Sequence, residues 1–254
     1  MTADVHSRLV GTVPIERVAR FSVPRHDPAL VARLLTVPDV TSAVADALDE
    51  LGVGGAIPGH RLSRVAGAAA ICGPAATLRY ASLGGDVGSN RAERRGLVLG
   101  DRDLYGLAET GDIAVVDASA AGDFAVLGAL SARWAALAGV AACVVDGTVR
   151  DTATLREVGL PIWSAGRNPA CGRYRLEAVE LNGPVTLSGL LVRPGDYLVA
   201  DDDGVCVVPH DAFPRVVEHC LAGLSREQEL VGLLGDAVNL TDLVRAVRGR
   251  QIAG

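Results

Sequence analysis

The sequence predicts an α/β fold, in which amphipathic helices cover a sheet of buried strands. Residues 137–145 are almost wholly apolar, as expected for a strand covered on both faces. A helical stretch over about residues 124–138 leads into this run from an earlier strand, which makes a strand-helix-strand unit. Residues 111–117 and 195–201 both begin Gly-Asp, continue with apolar or small residues and end in Asp, which indicates related strands in one β-rich core.

The first third of the chain divides into an extension and the start of a domain. Residues 1–37 have mixed polarity and are expected to form an extension without chemistry, ahead of a domain that spans residues 38–254 and includes a C-terminal helix. From Val40 to Leu51 apolar residues recur at helical spacing, which predicts an amphipathic helix. Residues 64–80 predict two short strands on either side of a Gly73-Pro74 break.

The remaining elements are predicted from turn residues and periodicity. Residues 84–102 are rich in Gly, Asp and Arg, and they favour a surface loop over a phosphate-binding loop because no lysine and no strand-loop-helix context support the latter. After position 151 the pattern predicts a short helix, a strand, a strand-dense segment and a long helix, over residues 152–158, 160–164, 185–209 and about 211–234.

Composition bounds the class of protein before any motif is considered. The chain has 254 residues, 49% of them hydrophobic, which is enough for a sizeable core. A formal charge of -6 argues against a nucleic-acid or anionic-membrane binder and favours a small-molecule partner. Five scattered cysteines favour reduced core residues over disulfides or a zinc site. Since no apolar leader or membrane-spanning run is present, the protein is expected to be cytoplasmic and not membrane-bound.

All 24 basic residues are arginine, and the absence of lysine excludes one class of chemistry. A lysine imine with the substrate, a pyridoxal phosphate linkage and a P-loop lysine are all impossible in this chain. If the protein forms a carbanion next to a carbonyl group, a metal ion therefore has to stabilise it.

The end of the apolar strand carries the most informative polar pattern. Asp146-Gly147 predicts a turn, and Arg150 and Asp151 follow it. The guanidinium of Arg150 offers a planar fork of donors that suits a carboxylate, and Asp151 offers hard oxygens that suit a divalent cation. The N-terminus of the preceding helix is a further place where backbone N–H groups can meet an anion. The alternative is an ordinary surface ion pair, since adjacent Arg-Asp pairs are common and contribute little.

Three motifs follow one another along the chain. They are Gly111-Asp112-x-x-Val115-Val116-Asp117, Val144-Val145-Asp146-Gly147-x-x-Arg150-Asp151 and Pro194-Gly195-Asp196-x-x-x-Ala200-Asp201-x-Asp203-Gly204-Val205-x-x-Val208-Pro209. In this order and spacing they resemble the RraA-like family, which includes 4-hydroxy-4-methyl-2-oxoglutarate aldolases and proteins labelled demethylmenaquinone methyltransferases. The resemblance implies an α/β fold of the swivelling phosphohistidine-domain type, with a β-core and flanking helices, assembled as a homotrimer or hexamer. The methyltransferase label has no support, because no glycine-rich cofactor loop follows a first strand.

The resemblance also implies the residues of an oxo-acid site. They are the backbone of Gly128, Ala129, Leu130 and Ser131, the side chain of Arg150, and a Mg²⁺ or Mn²⁺ ion that Asp151 holds largely through water. In such a site a 2-oxo acid chelates the metal and places its carboxylate on the arginine, and the cation stabilises the enolate left when a carbon–carbon bond breaks. A neighbouring subunit's C-terminal helix can add an acidic residue, for which Glu227 or Glu229 is the nearest match.

The chain departs from the family at one position of this site. Family aldolases carry Asp or Glu twenty-one positions before the arginine, where it helps to position the catalytic water, and the residue at this position is Ala129. The loss of a positioned acid-base group lowers a rate by about 10²–10⁴-fold. Asp123 or Asp117 in the adjacent loop can compensate, or the reaction differs.

Two classes of function stay open. The first is a divalent-metal-dependent lyase that acts on a 2-oxo acid through a pyruvate-type enolate, as a specialised aldolase or a decarboxylase. The second is a non-catalytic RraA-like regulator that binds a protein. The presence of both Arg150 and Asp151 favours the lyase, because a binding scaffold needs no metal ligand beside an anion clamp. The loss at Ala129 favours the regulator or a changed substrate.

Overall fold

The computed structural model describes residues 6–67 and 70–251. The helices are α1 Pro28–Leu34, α2 Val40–Leu51, α3 Val87–Ala92, α4 Asp101–Leu107, α5 Ala129–Leu137, α6 Thr152–Val158, α7 Phe213–Asp236 and α8 Leu240–Gln251. The strands are β1 Gly55–Pro58, β2 Ser63–Ala66, β3 Ile71–Ser82, β4 Ile113–Asp117, β5 Ala125–Leu127, β6 Ala142–Val149, β7 Ile162–Arg167, β8 Leu176–Leu181, β9 Val185–Leu187, β10 Leu190–Val192, β11 Tyr197–Ala200 and β12 Gly204–Val208. The ends of the predicted extension and domain, residues 1–5 and 252–254, and residues 68–69 of the predicted strand segment lie outside the described residues.

Ten of the described strands form one mixed sheet, and β9 and β10 form a separate hairpin. The order in the sheet is β1-β12-β11-β3-β4-β6-β7-β2, with β5 paired to β6 and β8 paired to β3. Strands β3, β4, β6 and β7 are parallel, and β11, β12 and β1 continue the sheet from β3 in antiparallel order. The two Gly-Asp strands of the sequence are β4 and β11, which lie on either side of β3. The predicted α/β fold with a β-core and flanking helices is confirmed.

The central strands β4 and β6 are apolar over most of their length because both faces of the sheet are covered. In β4, Ala114 and Val116 lie in a core shared with α4, α5 and α6, whereas Ile113 and Val115 lie in a second core beneath the β9–β10 hairpin. Successive side chains of a strand point to opposite faces, so a strand that is covered on both faces has few positions for polar residues. All five cysteines are free and four of them are buried, as expected for reduced core residues.

A third core lies between β11, β12 and the helices α1, α2 and α7. Helix α2 contributes Val44 and Leu48, one turn apart, and α7 contributes Phe213 and Val216. Gly52 ends α2 in the left-handed conformation, with φ 64°, which glycine adopts without steric cost. The amphipathic helix predicted from residue 40 to residue 51 is confirmed.

The N-terminal segment is held on the domain by two buried aspartates. Asp112, next to β4, accepts two hydrogen bonds from the guanidinium of Arg25, at 2.6 and 2.9 Å. Asp103, on α4, accepts hydrogen bonds from the backbone N–H groups of residues 10–13. The Gly-Asp motif that opens β4 therefore anchors the segment ahead of the domain.

The predicted helix over residues 124–138 is shorter than expected, and the strand after it starts later. Residues Ala125–Leu127 form β5, which pairs in parallel with β6, and α5 begins only at Ala129. Leu137 is the last residue of α5 and is 89% exposed, so the predicted strand over residues 137–145 begins at Ala142 instead. Periodicity alone does not separate a three-residue strand from the first turn of a helix.

Strand β6 also continues through Asp146-Gly147, where a turn was predicted, and ends at Val149. Its pairing with β7 shifts register between Val145 and Thr148, which is a local bulge in the ladder. A Cβ on Gly147 would lie 2.9 Å from the Cβ of Ala118. This glycine therefore permits close packing of the neighbouring chain and does not mark a turn.

Strand β3 is a single strand of twelve residues, where two short strands were predicted. Its first residues pair with β11, and its pairing with β4 starts at Ala75. Pro74 has no N–H group, and it occupies the last position before the β4 ladder begins. The proline is tolerated there because the ladder to β4 needs no donor from it.

The segment 84–102, predicted to be a surface loop, contains α3 and the first residues of α4. The carboxylate of Asp86 accepts hydrogen bonds from the N–H groups of Gly88 and Ser89 and so caps α3. The loop prediction was wrong over these residues because a helix of six residues without an apolar stripe leaves no helical period in the sequence.

The elements predicted after position 151 are present. Helix α6 has the predicted bounds, and β7 begins at Ile162 within the predicted strand. The strand-dense segment comprises β9, β10, β11 and β12, and α7 covers the predicted long helix. None of the helices among residues 6–67 and 70–251 combines the length and apolarity that crossing a bilayer requires.

Candidate active site

A cavity of about 380 Å³ opens where the N-termini of α4 and α5 face the end of β6. Five of the predicted site residues line it, namely Gly128, Leu130, Ser131, Arg150 and Asp151. The rest of its polar wall is formed by Asp101, Arg102, Cys171 and Arg173, and its apolar wall by Leu97, Val98, Leu99, Ala125, Val126 and Leu127. The predicted residue Ala129 does not line the cavity. The fold thus brings four separate segments of the chain to one place.

Arg150 and Asp151 are positioned by the end of β6 and the start of α6. The backbone N–H of Arg150 donates to the carbonyl oxygen of Leu127 at 2.9 Å, which ties the end of β6 to the end of β5. Asp151 has a left-handed backbone, with φ 59°, immediately before α6. Such a conformation costs a residue other than glycine on the order of 1 kcal/mol, so the surrounding structure has to impose it.

The left-handed turn directs the carboxylate of Asp151 toward the first turn of α5. Its Oδ2 accepts a hydrogen bond from the N–H of Ala129 at 3.2 Å, and the Nε of Arg150 lies 3.6 Å from the same oxygen. The other oxygen, Oδ1, accepts no hydrogen bond from any described residue. The two side chains are 40% and 42% exposed, so both are accessible to a ligand in the cavity.

Gly128 gives these side chains room. It is the N-cap residue of α5, and its φ of -147° is open to any residue, so backbone conformation does not require glycine there. A Cβ at this position, however, would lie 2.7 Å from Oδ2 of Asp151 and 3.1 Å from Cγ of Arg150. A larger residue here would displace the side chains of Arg150 and Asp151 from these positions, so the glycine leaves room for the pair.

Asp101, the first residue of α4, is a cavity residue that the sequence did not indicate. The residue is only 8% exposed. Burial raises the pKa of its carboxyl group, and a hydrogen bond with Ser131 and the charge of Arg102 only partly oppose that rise. The sequence places Asp101 among the Asp and Arg residues of a segment predicted to be a loop, where nothing distinguishes a buried acid from a solvated one.

Arg102 and Arg173 lie in the wall around Asp101, and the buried Tyr105 contacts Ser131 of that wall. The Ser131 hydroxyl lies 2.8 Å from the hydroxyl of Tyr105. The guanidinium carbon of Arg102 lies 5.0 Å from the ring centre of Trp134. Arg173 donates from Nε to the carbonyl of Leu97 at 2.9 Å. Arg173 lies in the segment between β7 and β8 and forms part of the cavity wall.

The two aspartates expected to replace an acid at position 129 do not line this cavity. Asp117 is buried elsewhere, where it accepts hydrogen bonds from Ser119 and from the N–H of Thr186. Asp123 is exposed, and its backbone carbonyl accepts a hydrogen bond from Asn168. The structure therefore does not support either as the replacement.

A larger cavity, of about 820 Å³, lies between α2 and α7. Glu227 lines it, together with His219 and Glu50, whose Nε2 and Oε2 are 2.9 Å apart. It shares no lining residue with the cavity at Arg150. Within one chain Glu227 therefore does not reach the predicted site, and the prediction that Glu227 or Glu229 completes a neighbouring subunit's site stays a prediction.

Comparison with known proteins identifies the family of this chain. The profile of the RraA-like family, described as Aldolase/RraA, matches residues 41–207. Protein DlpA of Legionella pneumophila is 28% identical over 184 residues, which are 72% of this chain and 28% of that protein. A Halalkalibacterium halodurans protein with the provisional name 4-hydroxy-4-methyl-2-oxoglutarate aldolase is 30% identical over 148 residues, 58% of this chain and 64% of that protein.

A solved structure extends the similarity to most of the fold. RraAS2 of Streptomyces coelicolor, described as an unusual member of the RNase ES inhibitor RraA protein family, superposes with a TM-score of 0.67 at 29% identity. The match covers 81% of this chain and 96% of that one. The chain thus spans less than two thirds of the two relatives named above and nearly all of RraAS2. The matched profile covers the strands and helices that build the cavity, and the chain belongs to the RraA-like family.

Proposed function

We propose that this protein is a divalent-metal-dependent carbon–carbon lyase that acts on a 2-oxo acid, as a specialised aldolase or a decarboxylase. The observation that carries the proposal is the convergence of Arg150, Asp151 and the first turn of α5 on one cavity. Arg150 and the backbone N–H groups of α5 bind the carboxylate of a 2-oxo acid. The carboxylate of Asp151 binds a metal ion that the oxo group of the substrate can approach.

The carboxylate end of the substrate is bound by Arg150 and the start of α5. A guanidinium makes two parallel hydrogen bonds to a carboxylate, which fixes its orientation as well as its charge. The N–H groups in the first turn of a nine-residue helix such as α5 have no partner within the helix, and they favour an anion. Because Gly128 has no side chain, an anion can approach them closely.

The donor set fits a hard divalent cation held mostly through water. No group of three His, Cys, Asp or Glu side chains close enough to hold a metal occurs among residues 6–67 and 70–251. Mg²⁺, however, usually keeps several waters and needs only one or two protein carboxylates, and Oδ1 of Asp151 is left for this purpose. Bound there, Mg²⁺ or Mn²⁺ would polarise the oxo group and stabilise developing negative charge on its oxygen. The lack of lysine supports this route, since no imine can take its place.

The proposal is tested by metal-dependent release of pyruvate from oxaloacetate and from 4-hydroxy-2-oxo acids, with Mg²⁺, Mn²⁺ or EDTA. Arg150→Lys should weaken oxalate binding at least about tenfold although the charge is kept, because lysine cannot bind a carboxylate with two parallel donors. Asp151→Ala should abolish metal-dependent oxalate binding and leave the fold intact. Matched controls are Arg167→Lys and Asp49→Ala, which lie outside the cavity wall. Calorimetry showing parental, metal-dependent oxalate affinity in both site variants would overturn the proposal.

A second candidate function is that of a protein-binding regulator, and Ala129 in place of the family acid favours it. The solved relative RraAS2 is described as a member of an RNase inhibitor family. We further propose a homotrimer or hexamer, in which Glu227 or Glu229 of a neighbouring subunit approaches the cavity. Light scattering tests the assembly. Absence of turnover on every 2-oxo acid, with intact assembly and metal binding, would favour the regulator.

A further inference from the structure

We propose that Asp101 is the acid-base residue of this cavity and takes the role that Ala129 cannot perform. The inference rests on the proposed function, and it names the group that moves a proton in that reaction. The acid of the family aldolases corresponds to position 129, which is the first residue of α5 in this chain. In this chain the carboxylate comes instead from α4, on the adjoining part of the same wall.

Asp101 is held in the cavity wall by the way α4 begins. Gly100 is the N-cap residue of α4, and a Cβ on it would lie 2.7 Å from the side chains of both Val13 and Ala178. That contact sets the start of α4 close to β8 and to the N-terminal segment. Asp101 follows immediately, lines the cavity together with Leu130 and Ser131, and is 8% exposed. Its position is therefore determined by packing, as a proton-transfer group requires.

The hydrogen bonds around Asp101 leave it able to exchange a proton. Its side-chain partner is Ser131, whose hydroxyl also lies 2.8 Å from that of Tyr105. When Ser131 donates to the carboxylate, Tyr105 can donate to Ser131, which forms a chain of three groups from the core to the cavity. Ser131 and the backbone N–H groups of Asp101 and Arg102 leave part of the carboxylate's four acceptor sites for a water or a substrate hydroxyl.

Ionisable groups from α4, β3 and β6 surround Asp101. Arg102 is its neighbour on α4, Tyr105 is one turn further on, Tyr80 faces it from β3, and Cys143 from β6. Burial raises the pKa of both tyrosines and of the thiol, so these three groups stay neutral and the guanidinium is the one full charge among them. Burial also raises the pKa of Asp101, which brings a carboxyl group toward the pH range where it both accepts and releases a proton.

In the cleavage of a 4-hydroxy-2-oxo acid, the Asp101 carboxylate would take the proton of the 4-hydroxyl. The O–H electron pair becomes the new carbonyl bond, and the C3–C4 pair stays on C3 as the enolate of pyruvate. The protonated carboxyl group then returns its proton to C3, which releases pyruvate and restores the carboxylate. The proton count balances without a further reactant. Decarboxylation of oxaloacetate uses only the second half, with a proton taken up beforehand from water.

The test compares Asp101→Asn with the parent protein for pyruvate release, for the pH profile of kcat, and for oxalate binding in the presence of Mg²⁺. The variant should lose about 10²–10⁴-fold in kcat and keep its oxalate affinity within about threefold. Its kcat should also lack the decrease that the parent shows at acidic pH. Asp123→Asn, which removes a carboxylate outside the cavity wall, should behave as the parent. Asp101→Asn combined with Ala129→Asp should regain at least about tenfold, because it returns the carboxylate to the family position.

The outcomes separate the two proposals. A parent that releases no pyruvate from any 2-oxo acid overturns the proposed function and, with it, this role of Asp101. An active parent with unchanged kcat and pH profile in Asp101→Asn overturns the role of Asp101 alone, as does an equal loss in Asp123→Asn. If Asp101→Asn fails to fold, Ser131→Ala provides the same test. Loss of the Ser131 donor raises the pKa of Asp101 further, so the fall of kcat at acidic pH should begin at a higher pH. An unchanged onset of that fall in Ser131→Ala is contrary to the proposal.

Discussion

Helix α4 carries two buried aspartates, two residues apart, whose surroundings are opposite. Asp103 is 2% exposed and accepts hydrogen bonds from the N–H groups of residues 10–13 and from the hydroxyl of Thr12. Asp101 is 8% exposed, has Ser131 as its side-chain donor and lies against the cavity. The two carboxylates have similar burial and lie on one short helix, so the difference between them comes from what each one faces.

The comparison shows that burial alone does not identify a functional acid. A carboxylate whose acceptor sites are filled by backbone N–H groups is committed to the fold, because moving any donor leaves a buried group unpaired. Asp103 is of this kind, and it holds the N-terminal segment on the domain. A carboxylate with few donors beside a cavity keeps sites for a ligand or a proton, at a cost in folding free energy. Asp101 is of this second kind.

The largest effect on folding is expected at Asp103, whose acceptor sites are filled by hydrogen bonds. Asp103→Ala removes the acceptor for four backbone N–H groups and a hydroxyl, and we expect the free energy of unfolding to fall by about 3 kcal/mol, which corresponds to a loss of roughly 10 °C in Tm. Oxalate affinity of the folded fraction should be unchanged. Thermal denaturation measures the change in Tm, and calorimetry measures the oxalate affinity. An unaltered Tm would show that the N-terminal segment is not held by this residue.

A substitution beside the cavity should lower ligand affinity more than it lowers stability. Gly128→Ala places a Cβ 2.7 Å from Oδ2 of Asp151, so we expect Mg²⁺-dependent oxalate affinity to fall at least about tenfold, or roughly 1.4 kcal/mol, with a smaller change in Tm. Gly84→Ala is the matched control, since no atom lies within 4 Å of its added Cβ. Equal oxalate affinity in both variants would contradict the close approach at Gly128.

The smallest effect concerns stability and pH. The folded pKa of Asp101 is raised above its unfolded value of about 4, so its contribution to stability is fully present below that pH and is lost as pH rises through the folded pKa. Asp101→Asn has no carboxyl group to ionise, so the variant does not lose this stability as the pH rises. The Tm of the variant minus the Tm of the parent should therefore increase as the pH rises above about 4. A Tm difference that is flat or falls with pH would contradict the surroundings described for Asp101.

Much of the fold could be predicted because local pattern and local structure coincide. The period of apolar residues from position 40 to 51 produces α2 with those bounds, and the same holds for α6 and most of α7. Continuous apolar runs predicted doubly covered strands, since only burial on both faces removes polar residues from both. Element boundaries were less secure where an element was short, as with β5 and α3, because three to six residues do not display a period.

The pairing of Arg150 with Asp151 at the end of a buried strand, and the exclusion of imine chemistry by the absence of lysine, follow from the sequence by itself. Adjacent residues stay adjacent in any fold, and a missing residue type is missing everywhere. The place of Asp101 beside them was decided only by the tertiary structure. Asp101 and Ser131 are thirty positions apart in the chain, and whether Asp101 faces solvent or a cavity depends on how α4 packs between the sheet and α5. Burial and donor count are properties of that packing, and no local pattern encodes them.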